Sequence, residues 1–213
     1  MSFDVALANE RVVEGSVTMP ASGIWVASLR LDSDASLSGA VDLTLGDRTL
    51  KGTVVEGAAF AGTARYRVVG GKAKWGAEVD ARAYASGTSL STVLRQLAAD
   101  AGESIDGITD KTVGQWTRRK APAIRTLRQL LGSAWYIDDA GVTQARARAG
   151  GSAEAEVLDH LPGSGFAVAV TDTPSKILPG QSLAVDDETT LTIEDLVVSL
   201  SPERLELHVW GTP

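Results

Sequence analysis

Two histidines, His160 and His208, are the only imidazoles in the chain, and neither sits in a pattern that pairs it with a nucleophile. His160 follows Asp159, so a general base is one reading, and a surface histidine in a loop is the plainer one. Gly163-Ser164-Gly165 comes nearest to a serine elbow. It lacks the strand–Gly-x-Ser-x-Gly–helix context that makes such a serine reactive, and Pro162 before it marks an ordinary loop. Carboxylates cluster at Asp138-Asp139, Asp186-Asp187-Glu188 and Glu194-Asp195. Two of these could form the acid pair of a glycosidase, but turns also collect aspartate for local hydrogen-bonding reasons. Calcium at Asp186-Asp187-Glu188 would lack the spaced ligands of an EF-hand loop. Val69-Gly70-Gly71-Lys72 reads as a hairpin turn, not as a phosphate-cradling loop. The expectation is a protein with no catalytic residues, no cofactor and no metal.

One electropositive cluster stands out. Arg118-Arg119-Lys120 lies next to Trp116 and is followed by Arg125 and Arg128. As a partner interface it would suit an acidic surface or, less well, nucleic acid; otherwise it is a solvated face at a helix start. A formal net charge of −7 argues against DNA binding as the main task, because phosphate affinity comes from positive contact surface. The five tryptophans, Trp25, Trp75, Trp116, Trp135 and Trp210, fall at strand or loop positions. They read as core or interface anchors, with a sugar-stacking platform as the alternative.

The bulk properties fit a folded protein. The chain has 213 residues, 44% hydrophobic and 22% charged, enough length and apolar content for a real core. It has no cysteine, which rules out disulfides and thiolate metal sites. Met-Ser-Phe-Asp-Val at the start lacks the basic and apolar regions of a signal peptide. Apolar runs such as Gly165 to Val170 are far shorter than the ~20 residues of a membrane helix, so no membrane insertion is expected. Charge varies sharply by segment. Residues 1–80 have 8 Lys+Arg against 10 Asp+Glu, residues 81–150 have 10 against 6, and residues 151–213 have 2 against 11. Such shifts suggest modules with different surroundings.

The elements that would position these groups follow from hydrophobic period. Residues 1–84 alternate with period two, with turns every 8–12 residues, which predicts a small barrel or sandwich. Strands are expected at Val5–Leu7, Arg11–Met19, Ile24–Leu31, Val41–Leu45, Arg48–Val55, Ala64–Val69 and Lys72–Trp75. Residues 85–144 change period. Leu90, Val93, Leu94, Leu97 and Ala98 form one helical face after a cap at Ser86-Gly87-Thr88-Ser89, stopped by Ala101-Gly102. A second helix starts at Pro122, carries Ile124, Leu127, Leu130 and Leu131 on its apolar face, and ends at Gly132. A hairpin over Trp135 to Thr143 turns at Asp139–Gly141. Residues 145–213 return to strands at Phe166–Val170, Lys176–Leu178, Gln181–Val185, Thr190–Ile193, Leu196–Leu200 and Arg204–Trp210. The expected fold is mainly β with a small α+β insert, two β-barrel-like modules flanking a two-helix unit.

This order resembles the baseplate hub proteins of phage tails and related contractile injection systems, the group that includes late control protein D. Leu90 through Gly102 resembles the hubs' first helix, and Trp116 through Leu131 with Trp135 through Gly141 resembles their second helix and hairpin. Ile177-Leu178-Pro179-Gly180-Gln181-Ser182-Leu183 is similar to a Pro-Gly turn that opens a barrel strand. Hubs are usually longer, and no lysozyme-like or peptidase insertion is visible here. The resemblance implies a virion structural protein of the tail baseplate, made late in the host cytoplasm. It implies a homotrimer whose paired barrels give a quasi-sixfold ring between the tail tube and spike proteins, with DNA as passing cargo. Open edge strands would close that ring, and acidic side chains would line its lumen. Two other readings stand beside it: a carbohydrate-binding module using exposed Trp25 or Trp75, and a carboxylate-pair hydrolase.

Overall fold

The structure, a computed structural model, describes residues 4–161, 163–201 and 204–213. Pro162 and the residues Met1 to Phe3 read above lie outside the described residues. The protein is mostly β, with two α-helices between two β modules.

The first module contains β1 (Val5–Leu7), β2 (Glu10–Pro20), β3 (Val26–Leu31), β4 (Gly39–Leu45), β5 (Arg48–Phe60) and β6 (Thr63–Gly70). All neighbours are antiparallel, in the circular order β1-β4-β5-β6-β3-β2, and the β1–β2 pairing closes a six-stranded barrel. Alternation decides which side chains go in. Val17 and Met19 of β2, Ala27, Leu29 and Leu31 of β3, and Leu43 and Leu45 of β4 are all buried, one face of each pleat. Trp25 fills the barrel end against Gly52 and Gly70. A Cβ at Gly70 would come within 2.6 Å of its ring, so only glycine lets the strand approach so closely.

The middle unit is built from α1 (Leu90–Ala101), α2 (Ala123–Leu131) and short strand pairs. Those strands are β7 (Glu78–Val79), β8 (Arg82–Tyr84), β9 (Ile105–Asp106), β10 (Trp116–Arg118), β11 (Ala121–Pro122), β12 (Tyr136–Ile137) and β13 (Thr143–Gln144). They pair β7 with β11, β8 with β10, and β12 with β13 and β9. Helix α1 follows its sequence signals closely. Ser89 caps it by accepting from the Thr92 amide, and Gly102 ends it with φ of 81°, the left-handed geometry glycine adopts without strain. Helix α2 is turned relative to the expected face. Ala123, Thr126 and Leu127 are its buried residues, while Ile124, Leu130 and Leu131 pack half-buried at the core margin.

The second module contains β14 (Glu156–Leu161), β15 (Phe166–Val170), β16 (Ser182–Ala184), β17 (Thr190–Leu200) and β18 (Leu205–Thr212), with a 3-10 turn at Pro174–Lys176. They are ordered β16-β17-β18-β15-β14. The ring is completed where Ser182 donates to the Gly151 carbonyl at 2.7 Å and accepts from the Ala153 amide at 2.8 Å, on the lead-in to β14. Several expectations change here. Lys176–Leu178 is not a strand, because Pro174 and Lys176 wind the chain into the 3-10 turn. His160 is not in a loop but on β14, opposite Ala167. The expected strands at Thr190 and Leu196 are one strand with a bulge. In the first module Lys72–Trp75 is a turn, and Gly70-Gly71 leads out of the barrel instead of making a hairpin.

The two modules share one strand frame. Strand β17 pairs with β18 with one extra residue between Ile193 and Asp195, and β2 pairs with β3 with one extra residue between Val12 and Glu14. Likewise β14 against β15 is bulged between Val157 and Asp159, and β5 against β6 between Val54 and Glu56. In chain order β2, β3, β4, β5 and β6 are the counterparts of β14, β15, β16, β17 and β18: the first strand of each hairpin carries the bulge, and β3–β6 and β4–β5 are matched by β15–β18 and β16–β17. The second module omits a counterpart of β1. Strands β2 and β4, both antiparallel to β1, run parallel to each other, and the Ser152–Ser182 bridge that replaces β1 is parallel too.

Strands β2 and β17 pair with each other, antiparallel, from Gly15↔Leu200 to Pro20↔Asp195. Val17 and Val198 face each other in this pairing. Because β17 is the counterpart of β5, the joint is head-to-tail, and it merges both modules into one eleven-stranded sheet.

Candidate functional site

The basic cluster divides when placed on the fold. Arg118 is buried; it donates to an Asp100 carboxylate oxygen at 2.6 Å and to the Asp80 carbonyl at 2.9 Å. Burying a guanidinium requires such partners, and here they fasten β10 to α1. Trp116, half-buried, stacks on Tyr84 at 5.7 Å between centroids. Arg119, Lys120, Arg125 and Arg128 are exposed. Lys120 meets Glu78 at 3.1 Å, and that hydrogen bond raises its pKa above the ordinary lysine value. Arg125 and Arg128 are three apart on the outer face of α2, so they project together.

The acidic pair Asp138-Asp139 belongs to a polar seam between the first barrel and the middle unit. Asp139 accepts two hydrogen bonds from buried Arg48, at 2.8 and 2.7 Å. Asp138 accepts from the Val142 amide and from Gln144, both at 2.8 Å, which shapes the β12–β13 turn. Arg148 lies over the Tyr136 ring at 4.1 Å. Burial, with repulsion from Arg48, pushes its guanidinium down to about 10. Across the barrel mouth, buried Glu103 accepts from the Lys74 amide at 2.5 Å and the Lys72 amide at 3.3 Å. These carboxylates hold backbone and arginine in place.

Two further aspartates hold turns and join modules. Asp186 accepts from the amides of Glu188 and Thr189 and lies 3.0 Å from His160. The Glu188 amide bond leads in lowering its pKa. Asp47, on the β4–β5 turn, accepts from the Ser175 hydroxyl and amide. That contact ties the first barrel to the second module and lowers the Asp47 pKa, the hydroxyl bond contributing most. Among the described residues no group of three or more His, Asp or Glu is placed to hold a metal ion, and no helix is long and apolar enough to cross a membrane.

Trp25 and Trp75 are each only 1% exposed, which corrects the expectation that either offers an open face to a sugar ring. Trp75 donates to Thr143 at 2.8 Å inside the middle unit. Trp135 is buried as well. What the surface does present is apolar aliphatic and aromatic character at two strands. Five large hydrophobic side chains are exposed among the described residues: Val55, Phe60, Leu158, Leu161 and Trp210. Four of them lie on β5 and β14. Sequence reading ended β5 at Val55 and missed β14 altogether, because in each strand the bulge places an extra apolar residue out of alternation.

No family model matches the chain, and no curated protein matches it. Its fold does match solved structures. The E. coli c3393 protein, described as a component of the type VI secretion system with structural similarity to the T4 bacteriophage tail proteins gp27 and gp5, superposes with a TM-score of 0.67 at 12% identity. That match covers 98% of this chain and 74% of the other. A 43 kDa tail protein of prophage MuSo2 from Shewanella oneidensis gives 0.67 at 10% identity, over 99% of this chain and 96% of that one. A tail protein from Neisseria meningitidis MC58 gives 0.71 at 8% identity, over 100% and 97%. The chain thus has the fold of phage tail proteins along its whole length.

Proposed function

We propose that the chain is a structural hub of a phage tail baseplate or a related injection machine. Three copies close a ring that joins the tail tube to the central spike and leaves a passage for DNA. The observation that carries this reading is the repeated strand frame. One chain supplies two modules with matching bulges, joined at β2 and β17, so three chains offer six nearly equivalent positions around one axis. The likeness to tail proteins supports the same role. The side chains fit it, since Asp100, Glu103, Asp110, Asp138, Asp139 and Asp186 hold arginines and backbone amides in place.

In this reading the acidic second module turns carboxylates toward the passage, repelling DNA phosphates. The exposed Arg119, Lys120, Arg125 and Arg128 meet an acidic neighbouring tail protein. Light scattering of the purified protein across concentration and salt tests the proposal. A species of three times the 22.2 kDa chain mass, seen as rings by electron microscopy, is expected. A monomer at every concentration counts against it, as does a ring whose lumen is lined by lysine and arginine.

A further inference from the structure

The strand frame also says which edges remain for a neighbour. Within the chain, the modules join through β2 and β17, and both sides of these strands are occupied. On the far side of each module lie β5 and β14, the counterparts of β17 and β2. Beyond Val54, β5 pairs only with β6, since its pairing with β4 ends at the Gly39↔Val54 match. Strand β14 pairs only with β15. Each therefore presents an open row of backbone donors and acceptors, the usual template for strand addition.

Both edges carry exposed apolar side chains. Val55 and Leu158 are the extra residues of their strands' bulges and are 49% and 47% exposed; Phe60 at the β5 tip is 83% exposed and Leu161 at the β14 end 56%. Such side chains on an open edge are a liability unless something covers them. Along the first edge β5 exposes Glu56, with Arg65 and Arg67 exposed on β6 behind it, and along the second β14 exposes Glu156 and Asp159.

We infer that β5 of one copy pairs, antiparallel, with β14 of the next, so that the junction between chains repeats the β2–β17 junction within a chain. The occupant of each edge is a second copy, because β5 and β14 are the counterparts of β17 and β2, which already pair within the chain, and the exposed Val55 and Phe60 then meet the exposed Leu158 and Leu161. Pairing β5 with β14 is head-to-tail and can close a ring; β5 with β5 would be isologous and stop at a dimer. This rests on the hub reading and assigns its contact strands.

The chain has no cysteine, so single cysteines are unambiguous probes. Ala58→Cys and Asp159→Cys are purified separately, mixed, and treated with a flexible bismaleimide. A linked pair in the mixture, absent from either variant alone, is expected. Phe60→Asp should raise the concentration for half-assembly by about tenfold or more, as loss of an interface aromatic does, with an unchanged thermal midpoint showing that it folds. Linked pairs within one variant, or normal assembly of Phe60→Asp, overturn the strand assignment. If rings of three chains form without the mixed link, the assignment fails and the hub reading stands. If the mixed link forms but mass grows without limit, the pairing stands and the closed hub fails. A monomer throughout, with no link, ends both.

Discussion

Arg48 and Asp139, ninety-one residues apart, are held together by a two-pronged ion pair in which the arginine is buried and the aspartate lies at the seam. The pair fastens the β12–β13 turn to the first barrel. Removing the carboxylate leaves a guanidinium in the barrel wall without its main partner. Asp139→Ala should cost about 2 kcal/mol, the scale of a charge-assisted hydrogen bond set, read as a lower urea midpoint. An unchanged midpoint would mean that solvent replaces the carboxylate.

Gly70 allows Trp25 to pack flat on the barrel end. A Cβ there would meet three indole atoms at 2.6 to 2.8 Å. Gly70→Ala should destabilise by about 1–3 kcal/mol through overpacking and shift tryptophan emission to the red as the indole is displaced. Full stability in this variant would show that the indole can move aside.

The Val17–Val198 pair sits at the centre of the joint between modules, with both side chains buried. Val198→Asp puts an unpaired charge there. Hydrogen exchange should then rise together at residues 15–20 and 195–200, while β4 and its pairing with β5 stay protected. Exchange confined to β17 would mean that β2 does not depend on its partner.

Stability should fall in acid. Asp47, Asp110 and Asp186 have folded pKa values below the ordinary 3.8, caused respectively by the Ser175 hydroxyl, the Ser91 amide and the Glu188 amide. A depressed carboxylate contributes stability above its unfolded pKa and loses it as pH falls through the folded one. Unfolding midpoints should therefore hold from neutrality to about pH 4 and drop below it, with a shallower drop in Asp47→Asn. A flat acid limb in the parent protein would contradict this.

The strands with clean alternation were legible because one face of each is buried, as in Val41-Asp42-Leu43-Thr44-Leu45. Helix α1 was legible because its cap, apolar face and stop all agree. Bulges hid the rest. Leu158 breaks the alternation of β14, and Glu194-Asp195 made β17 look like two strands. Arg118 read as surface charge because its partners, Asp100 on α1 and the Asp80 carbonyl, are distant in sequence. The pairing of β2 with β17 spans almost the whole chain, and no local pattern encodes it.

That long-range pairing has a consequence for how the protein is made. During synthesis every strand of the first barrel leaves the ribosome well before β17. Until then residues 15–20 of β2 form an uncovered edge on an otherwise finished barrel, with Val17 and Met19 still lacking their partners Val198 and Leu196. Closing the joint is a late, nonlocal step, the slow kind in folding. The interval before β17 arrives is when a nascent chain is most open to sticking to another. The last strands thus act as an internal chaperone for the first.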